Sequence, residues 1–259
     1  MRDDRALSST AIFWEQLRRS FAIAKKDIRI YYSKGPVVVF GLIFPLFLFL
    51  AFTIGRNLSG EELFPGLIGM AVFFTATSVG PAILPWETRS KTLERLVCSP
   101  ISTWAIFFGD IVASFIFGIL VSLVPVVVAL VIGVKIMDLL VLSSGMILAT
   151  LCFASLSVLL SVYPPTDIPA TVMMLSSLIK FPLVFISGIF MPIEQLPEWG
   201  RIAASASPLT YFTDLARYST NGISYYSIPI DLAVLTAFTL VFLISSVKLH
   251  EKFLPQRFS

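Results

Sequence analysis

Six long apolar runs limit what this chain can fold into. A helix that rises 1.5 Å per residue needs about 20 apolar residues to cross roughly 30 Å of hydrocarbon. Residues 36–190 show no ten-residue alternation of the kind that marks barrel strands, and unpaired backbone groups are not tolerated in lipid. We therefore predict an all-α integral membrane protein with six transmembrane helices, at residues 36–54, 64–85, 105–134, 139–162, 168–190 and 228–247.

The composition agrees with a membrane location. Hydrophobic residues make up 56% of the 259 residues, charged residues only 14%, and the mean hydropathy is +0.88, whereas a soluble domain carries about 25% charged residues. The net charge of +3 is too small to favour nucleic-acid binding. Cys98 lies in a polar loop and Cys152 inside an apolar run, so neither a disulfide framework nor a zinc site is expected.

Lysine and arginine are distributed unevenly between the two sides of the predicted bundle. Basic residues are concentrated before the first span, in the loop after the second span and in the C-terminal tail. The opposite side has only Arg56, Lys135, Arg201 and Arg217. By the positive-inside rule, the richer side is cytoplasmic. We therefore expect a multi-pass protein of the cell (plasma) membrane with both termini in the cytoplasm.

The segment before the first span, residues 10–32, has the pattern of an amphipathic helix. Apolar residues recur at steps of three and four, and charged residues fall on the opposite side. The pattern predicts a helix in the cytoplasmic headgroup layer with its basic face toward anionic lipid, and an ordinary helix facing solvent is the alternative. The apolar positions are Phe13, Leu17, Phe21, Ala24, Ile28 and Tyr31, and the charged positions are Glu15, Arg18, Arg19, Lys25, Lys26 and Arg29.

The most polar stretch in the middle of the chain is "ETRSKTLERLVCSP", residues 87–100, called the charged segment below. Ser90 or Thr92 can cap a short helix there, and Pro100 ends it. Such a helix has an apolar edge and a charged face, which suits docking to a soluble partner. A solvated connector fits the local sequence equally well. The candidate docking residues are Glu87, Arg89, Lys91, Thr92, Leu93, Glu94, Arg95 and Leu96.

A second unusual stretch, residues 191–220, follows the fifth span. Its pieces are too short and too polar to cross a bilayer, and prolines interrupt it. We expect short helices that dip into the outer interface, where Trp and Tyr are favoured. A re-entrant segment of this kind can cap an export path. The candidate gate residues are Pro192, Pro197, Trp199, Pro208 and Tyr211.

Two motifs resemble those of the ABC-2 type transporter permeases. One is "ETRSKTLERLVCSPIS" in the charged segment, and the other is "SGIFMPIEQLPEWGRIAASASPLTYFTDLAR" in the last third of the chain. The order of surface helix, spans, charged helix and outer segment is similar as well, over nearly the whole sequence. The resemblance implies a six-span permease that dimerises and docks one cytosolic ABC ATPase subunit per copy, with ATP and Mg bound by that ATPase.

The resemblance also implies roles for the two polar segments. The charged segment would be the coupling helix, and the N-terminal helix would belong to the same docking surface. In that role Leu93 and Leu96 fill a cleft on the ATPase, while the flanking charges set partner choice. The chain is thus interpreted as the permease subunit of an ATP-driven exporter, a homodimer with two ATPase chains, that moves a hydrophobic or amphiphilic drug, lipid or lipid-linked glycan.

A few residues inside the spans are candidates for the translocation path. Lys180 lies about 12 residues into the fifth span, roughly 18 Å across, where a lysine costs about 2.5–3.5 kcal/mol on insertion scales. It either faces a cavity that attracts an anionic headgroup or drug, or its side chain extends to the interface. Phe40, Phe44 and Phe47 form a stripe that lines an aromatic path or packs against lipid or a neighbouring helix.

Several kinds of chemistry lack support in the sequence. It has no G-x-x-x-x-G-K-[ST] phosphate loop, no H-E-x-x-H motif and no serine–histidine–acid set, so we expect neither an enzyme by itself nor a cofactor or metal site. Asp110 and Asp231 are expected to reach water at the interfaces, and His250 to lie at a solvated helix end. The competing functions are a nucleotide-independent channel or secondary carrier, and a membrane scaffold that recruits a cytosolic partner.

Overall fold

The computed structural model describes residues 9–32, 39–55 and 59–257, and every regular element in these ranges is a helix. Single turns of other helix types extend the α-helices at Ile28–Tyr32, Val39–Ile43 and Leu254–Arg257, and a separate turn forms at Ile193–Gln195. The α-helices are α1 (Ser9–Asp27), α2 (Phe44–Thr53), α3 (Gly60–Ala76), α4 (Gly80–Arg89), α5 (Thr92–Val97), α6 (Thr103–Ile132), α7 (Leu139–Leu159), α8 (Pro169–Ile186), α9 (Glu198–Ser205), α10 (Pro208–Asn221) and α11 (Ile228–Phe253).

The predicted all-helical membrane class is confirmed for the described residues. Five helical stretches are long and apolar enough to cross a bilayer: Gly60–Arg89, Thr103–Ile132, Leu139–Leu159, Pro169–Ile186 and Ile228–Arg257. The first predicted span, 36–54, is represented by Val39–Ile43 and α2, and its first residues lie outside the described ranges. The count of six spans therefore stays a prediction.

Both ends of the described chain lie at the same end of the helix bundle as the charged segment. Leu254, which follows α11, packs in one cluster with Leu93 of α5. Gln16 of α1 donates its amide to the carbonyl oxygen of Pro100, 3.3 Å away. We call this the charged end of the bundle.

The loops at the other end of the bundle, the loop end, are joined to α10. The backbone N–H of Met137 donates to the carbonyl of Ser219 over 2.7 Å, and the Thr220 hydroxyl lies 3.4 Å from the carbonyl of Glu61. The start of α3, the loop between α6 and α7 and the end of α10 thus meet in one place.

The main core forms where α3, α6, α7, α10 and α11 pack together. Phe73 and Phe153 are fully buried there in an edge-to-face contact with ring centroids 5.0 Å apart. A Cβ atom on Gly69 would lie 2.6 Å from the methyl group of Thr213, so glycine lets α3 and α10 approach each other closely. α10 therefore lies within the bundle and not on its surface.

The stretch predicted as one span, 64–85, is interrupted over residues 77–79, where α3 ends before α4 begins. Pro81 has no N–H group, so the carbonyl of Thr77 cannot accept the helical hydrogen bond from the residue four positions later. The Thr77 hydroxyl instead donates back to the carbonyl of Phe73 over 2.7 Å. The break leaves one backbone carbonyl to be satisfied from elsewhere.

The structure divides the charged segment into two helices. Residues 87–89 are the last residues of α4, and only Thr92–Val97 form the separate helix α5. Lys91 adopts a left-handed conformation with φ of 55°, which ends the first helix and allows the chain to turn. A single helix over 87–100 is not what the chain forms.

Three ionisable residues expected to meet water are buried. His250 is 2% exposed, its Nδ1 donates to the carbonyl of Ser246 over 2.6 Å, and its Nε2 lies 3.0 Å from the Ser161 hydroxyl. Asp110 and Asp231 are 3% and 0% exposed. The expectation of a solvated His250 is wrong because the side chain faces the bundle and has polar partners there.

Candidate functional site

The charged segment presents four of its charged residues to the outside. The side chains of Arg89, Lys91, Glu94 and Arg95 are exposed, and none of them forms an ion pair within the part of the chain that the structure describes. Exposed charges of this kind contribute little to folding stability. They are therefore available to contact another molecule at the charged end.

Leu93 anchors the opposite side of α5 to the bundle. Its side chain is fully buried and packs with Leu84 of α4, Phe107 of α6 and Leu254. The expectation that Leu93 fills a cleft on a partner does not hold, because this side chain is enclosed by its own chain. Leu96 and Thr92 are half-buried, so the outward surface of α5 is mainly polar.

Glu87, a predicted docking residue, is also buried and pairs with the N-terminal helix. Its carboxylate, 1% exposed, forms a close ion pair and hydrogen bond with the Nζ of Lys26. The same Nζ lies 3.0 Å from the carboxylate of Asp27, which is fully buried. The pair therefore links α1 directly to the end of α4, one turn before α5.

The pKa values of Lys26 and Asp27 reflect this crowding of charge. Burial lowers the pKa of Lys26, but the carboxylates of Asp27, Glu87 and Asp110 outweigh burial, and the net pKa is raised. Burial raises the pKa of Asp27, and the neighbouring carboxyl group of Asp110 and the charge of Lys26 offset this only in part. Lys26 thus stays positively charged. Keeping Asp27 ionised in its buried position is unfavourable, because burial penalises the charged form.

α1 also holds the far side of the charged segment. The side-chain oxygen of Gln16 accepts from the backbone N–H of Ser102 over 2.8 Å and from its hydroxyl over 3.1 Å. Phe13 stacks on Trp104 with ring centroids 5.7 Å apart. Together with the Lys26–Glu87 pair, these contacts tie α1 to the chain on both sides of α5.

The contacts of Lys26, Tyr31 and Gln16 with other helices were not predicted from the sequence. Lys26 was assigned to a basic face toward lipid, yet it pairs with a residue 61 positions later. Tyr31 stacks on Trp86 of α4, with centroids 5.4 Å apart and the rings nearly parallel. The stretch "KKDIRIYY" contains a lysine, an aspartate and two tyrosines, which indicates a polar contact with another helix. The sequence does not indicate which helix this is.

The predicted outer segment, residues 191–220, contains two short helices at the loop end. Pro197 precedes α9, and Pro208 lies in the first turn of α10, where a missing N–H costs nothing. Pro192 precedes the turn Ile193–Gln195. Trp199 is 74% exposed, whereas Tyr211 is buried and donates its hydroxyl to the carbonyl of Ser205 over 2.8 Å. The gate candidates are thus divided between surface and interior.

In addition to its core packing, α10 forms hydrogen bonds with backbone groups of neighbouring loops. Asp214 accepts from the backbone N–H groups of Tyr225 and Tyr226, over 2.9 and 2.8 Å, and Arg217 donates to the carbonyl of Gly188 over 3.2 Å. Burial raises the pKa of Asp214 against those two hydrogen bonds, and burial lowers the pKa of Arg217. These two side chains thus connect α10 to the loops that precede and follow it.

The path candidates are only partly brought together. Lys180 of α8 and Phe44 of α2 line the same cleft, and Phe44 contacts Phe181 edge-to-face at 6.2 Å. Phe47 is 66% exposed and does not line it. The side chain of Phe40 lies outside the described residues.

The comparison with known families agrees with these features. The family model of the ABC-2 type transporter matches residues 13–220, which include the charged segment and the α9–α10 region. No curated protein matches the chain. ABC-2 permeases are membrane subunits that work with an ATP-binding subunit. Because the match covers most of the sequence, the chain belongs to the ABC-2 type transporter family.

Proposed function

We propose that this chain is the permease subunit of an ATP-driven exporter for hydrophobic or amphiphilic substrates. It works as a homodimer with two cytosolic ATP-binding subunits, which bind ATP and Mg, and it has no catalytic role of its own. The charged end faces the cytoplasm, and the chain lies in the plasma membrane. The α9–α10 region at the loop end acts as the outer gate.

The observation that carries this proposal is the combination of an exposed charged surface and a rigid attachment. Arg89, Lys91, Glu94 and Arg95 point outward, while Leu93 is fully buried beneath them. A simple connector between two spans needs only two to eight residues and no such anchoring. A partner that contacts these charges therefore pushes on a helix that cannot move without its neighbours.

The attachment suggests how a movement of the ATPase reaches the membrane. The Lys26–Glu87 pair joins α1 to α4, and Leu93 joins α5 to α6 through Phe107. When nucleotide binding draws two ATPase subunits together, α5 moves with them, and both α4 and α6 follow. The break at residues 77–79 separates α4 from α3 and is where such a movement can be absorbed.

Charge reversal on α5 tests the docking role. We expect the double variant Glu94→Lys/Arg95→Glu to insert and fold normally, because exposed charges contribute about 0–1 kcal/mol. Reconstituted in lipid with its ATP-binding subunit, the variant is expected to lose most of the substrate-stimulated ATP hydrolysis and transport. The measurement is ATPase activity and substrate export, with the unfolding temperature recorded for each protein.

The matched control reverses a pair of charges at the same end of the bundle. Glu251 and Lys252 are both exposed and adjacent in α11, so Glu251→Lys/Lys252→Glu changes the same charges away from α5. It is expected to keep full activity. Normal coupling in the α5 variant contradicts the docking role, and export by the purified chain without any ATPase favours the channel or carrier instead.

A further inference from the structure

Lys180 lies in the wall of a cleft that opens between α8 and the α2–α4 region. The cleft has a volume of about 430 Å³, within the range of about 300–1,000 Å³ common for small-molecule sites. Phe44, Phe74, Met173 and Phe181 contribute apolar walls. A space of this size and lining accommodates the hydrocarbon part of a small amphiphile.

The amine of Lys180 is buried with most of its hydrogen-bonding capacity unused. Its side chain is 6% exposed, and its Nζ donates to the carbonyl of Thr77 over 2.9 Å. That carbonyl is free because Pro81 has no N–H to offer. An ammonium group has three donors, and no other hydrogen bond or ion pair of this amine occurs among the described residues.

Two hydroxyl groups lie in the same cleft. Ser177 precedes Lys180 by three residues, which places both on one face of α8, and Ser78 lies in the break before α4. The Ser177 hydroxyl donates to the carbonyl of Met173 in α8, and the Ser78 hydroxyl donates to the carbonyl of Thr75 near the end of α3, each over 2.8 Å. Both can rotate to donate to an anion instead, since a hydroxyl hydrogen is free to turn.

We propose that this cleft binds a single-chain amphiphile with an acidic headgroup, a phosphate or a carboxylate. The headgroup pairs with Lys180, and the hydrocarbon chain lies against the phenylalanine and methionine side chains. An anionic headgroup is preferred over a neutral one, because an opposite charge beside a buried amine stabilises its ammonium form. The proposal rests on the proposed function, since it names the substrate class that such a permease accepts.

Equilibrium binding to the purified chain in phosphatidylcholine nanodiscs tests this specificity without any ATPase. The probe is radiolabelled dodecyl phosphate, with binding to empty nanodiscs subtracted, and the competitors are dodecanoate, dodecanol, dodecylamine and inorganic phosphate. The wild type is expected to prefer dodecyl phosphate and dodecanoate over dodecanol by about tenfold or more, as a charge-assisted hydrogen bond implies. Inorganic phosphate, which has no chain, is expected not to compete.

Two substitutions of Lys180 and one matched control separate charge from shape. Lys180→Met is expected to lower the affinity for dodecyl phosphate by about tenfold and to leave that for dodecanol unchanged, while Lys180→Arg keeps the preference for anions. Lys248→Met removes an exposed lysine of α11 and is expected to change neither the affinity for dodecyl phosphate nor that for dodecanol. Equal affinity of the wild type for dodecyl phosphate and dodecanol, no saturable binding, or an unchanged preference in Lys180→Met overturns the proposal.

The binding assay and the export measurement together keep this proposal distinct from the docking proposal. Preference for anions with no ATP-dependent export means that the cleft is assigned correctly and the exporter function is wrong. Normal ATP coupling with no preference for anions means that the cleft assignment is wrong and the exporter function stands.

Discussion

Lys26 and Lys180 are both largely buried lysines, but their surroundings differ. Lys26 lies at the charged end within reach of Glu87 and Asp27, and its side chain is 27% exposed. Lys180 lies within a predicted span, and its one partner among the described residues is a backbone carbonyl. The Lys26 amine is compensated by carboxylates of its own chain, whereas the Lys180 amine has no such carboxylate in the part of the chain that the structure describes.

The difference separates a structural contact from a site for a ligand. A buried charge that finds its counter-charge in the same chain holds two elements together, and removing one partner leaves the other unpaired. A buried amine without a counter-charge is costly to keep and gains most from a ligand that supplies one. We therefore assign Lys26 to the link between α1 and α4, and Lys180 to substrate binding.

The largest effect is expected from Lys26→Met. This change leaves the buried carboxylates of Asp27 and Glu87 without their cation, which lowers the free energy of unfolding by about 3 kcal/mol. Loss of the link to α4 is also expected to lower ATP coupling. Unfolding in detergent, followed by thermal shift, and ATPase stimulation measure the two effects.

The neighbouring lysine provides the control for this change. Lys25 is exposed, so Lys25→Met is expected to alter stability by no more than about 0.5 kcal/mol. Adding Glu87→Gln to Lys26→Met is expected to recover part of the lost stability, because one unpaired carboxylate is removed. Equal stability of the two lysine variants would show that the pair does not hold α1 in place.

A smaller effect is expected from pH, through Asp27. Because its pKa in the folded chain is raised above the ordinary 3.8 by burial, the folded state binds this proton more tightly than the unfolded state. The resulting stabilisation is fully present below the unfolded pKa and is lost as pH rises through the folded pKa. Wild type should therefore gain stability relative to Asp27→Asn as pH falls from neutral toward 4.

Parallel thermal unfolding of wild type and Asp27→Asn across that pH range measures this difference. Salt is kept constant, since screening weakens the contribution of the partly exposed Lys26. A difference that stays constant, or that widens in favour of Asp27→Asn at low pH, contradicts the raised pKa.

The smallest effect on stability is expected from Lys180→Met. The hydrogen bond to the Thr77 carbonyl is lost, which costs about 1 kcal/mol, but a buried charge is removed at the same time. Abundance and unfolding temperature should therefore stay close to those of wild type. A loss as large as that of Lys26→Met contradicts the contrast between the two lysines.

The membrane-spanning helices were predictable because the signal is local. About 20 consecutive apolar residues identify a span without knowledge of its neighbours. α7 and α11 begin at residues 139 and 228, the first residues of the predicted spans. The break before α4 also has a local signal in the sequence, "SVGP" with Pro81. Glycine and proline together mark such interruptions.

The environment of each polar residue was not predictable from the sequence. The sequence does not show whether the apolar edge of α5 contacts a partner or its own chain. Leu93 is buried because α5 packs on Phe107 and Leu254. The Lys26–Glu87 pair depends on a contact between segments 61 residues apart. His250 resembled a solvated residue because the sequence does not show that Ser161 meets it.

Cross-linking from Cys98 tests the central claim, that α5 contacts a separate ATP-binding subunit. Cys98 directly follows α5 and is exposed, and the other cysteine, Cys152, is buried, so a photoreactive maleimide labels the native protein at one position. In the reconstituted complex, the account predicts a cross-link to the ATP-binding subunit that is absent in Cys98→Ser. ATP-driven export by labelled protein with no cross-link to that subunit would contradict it.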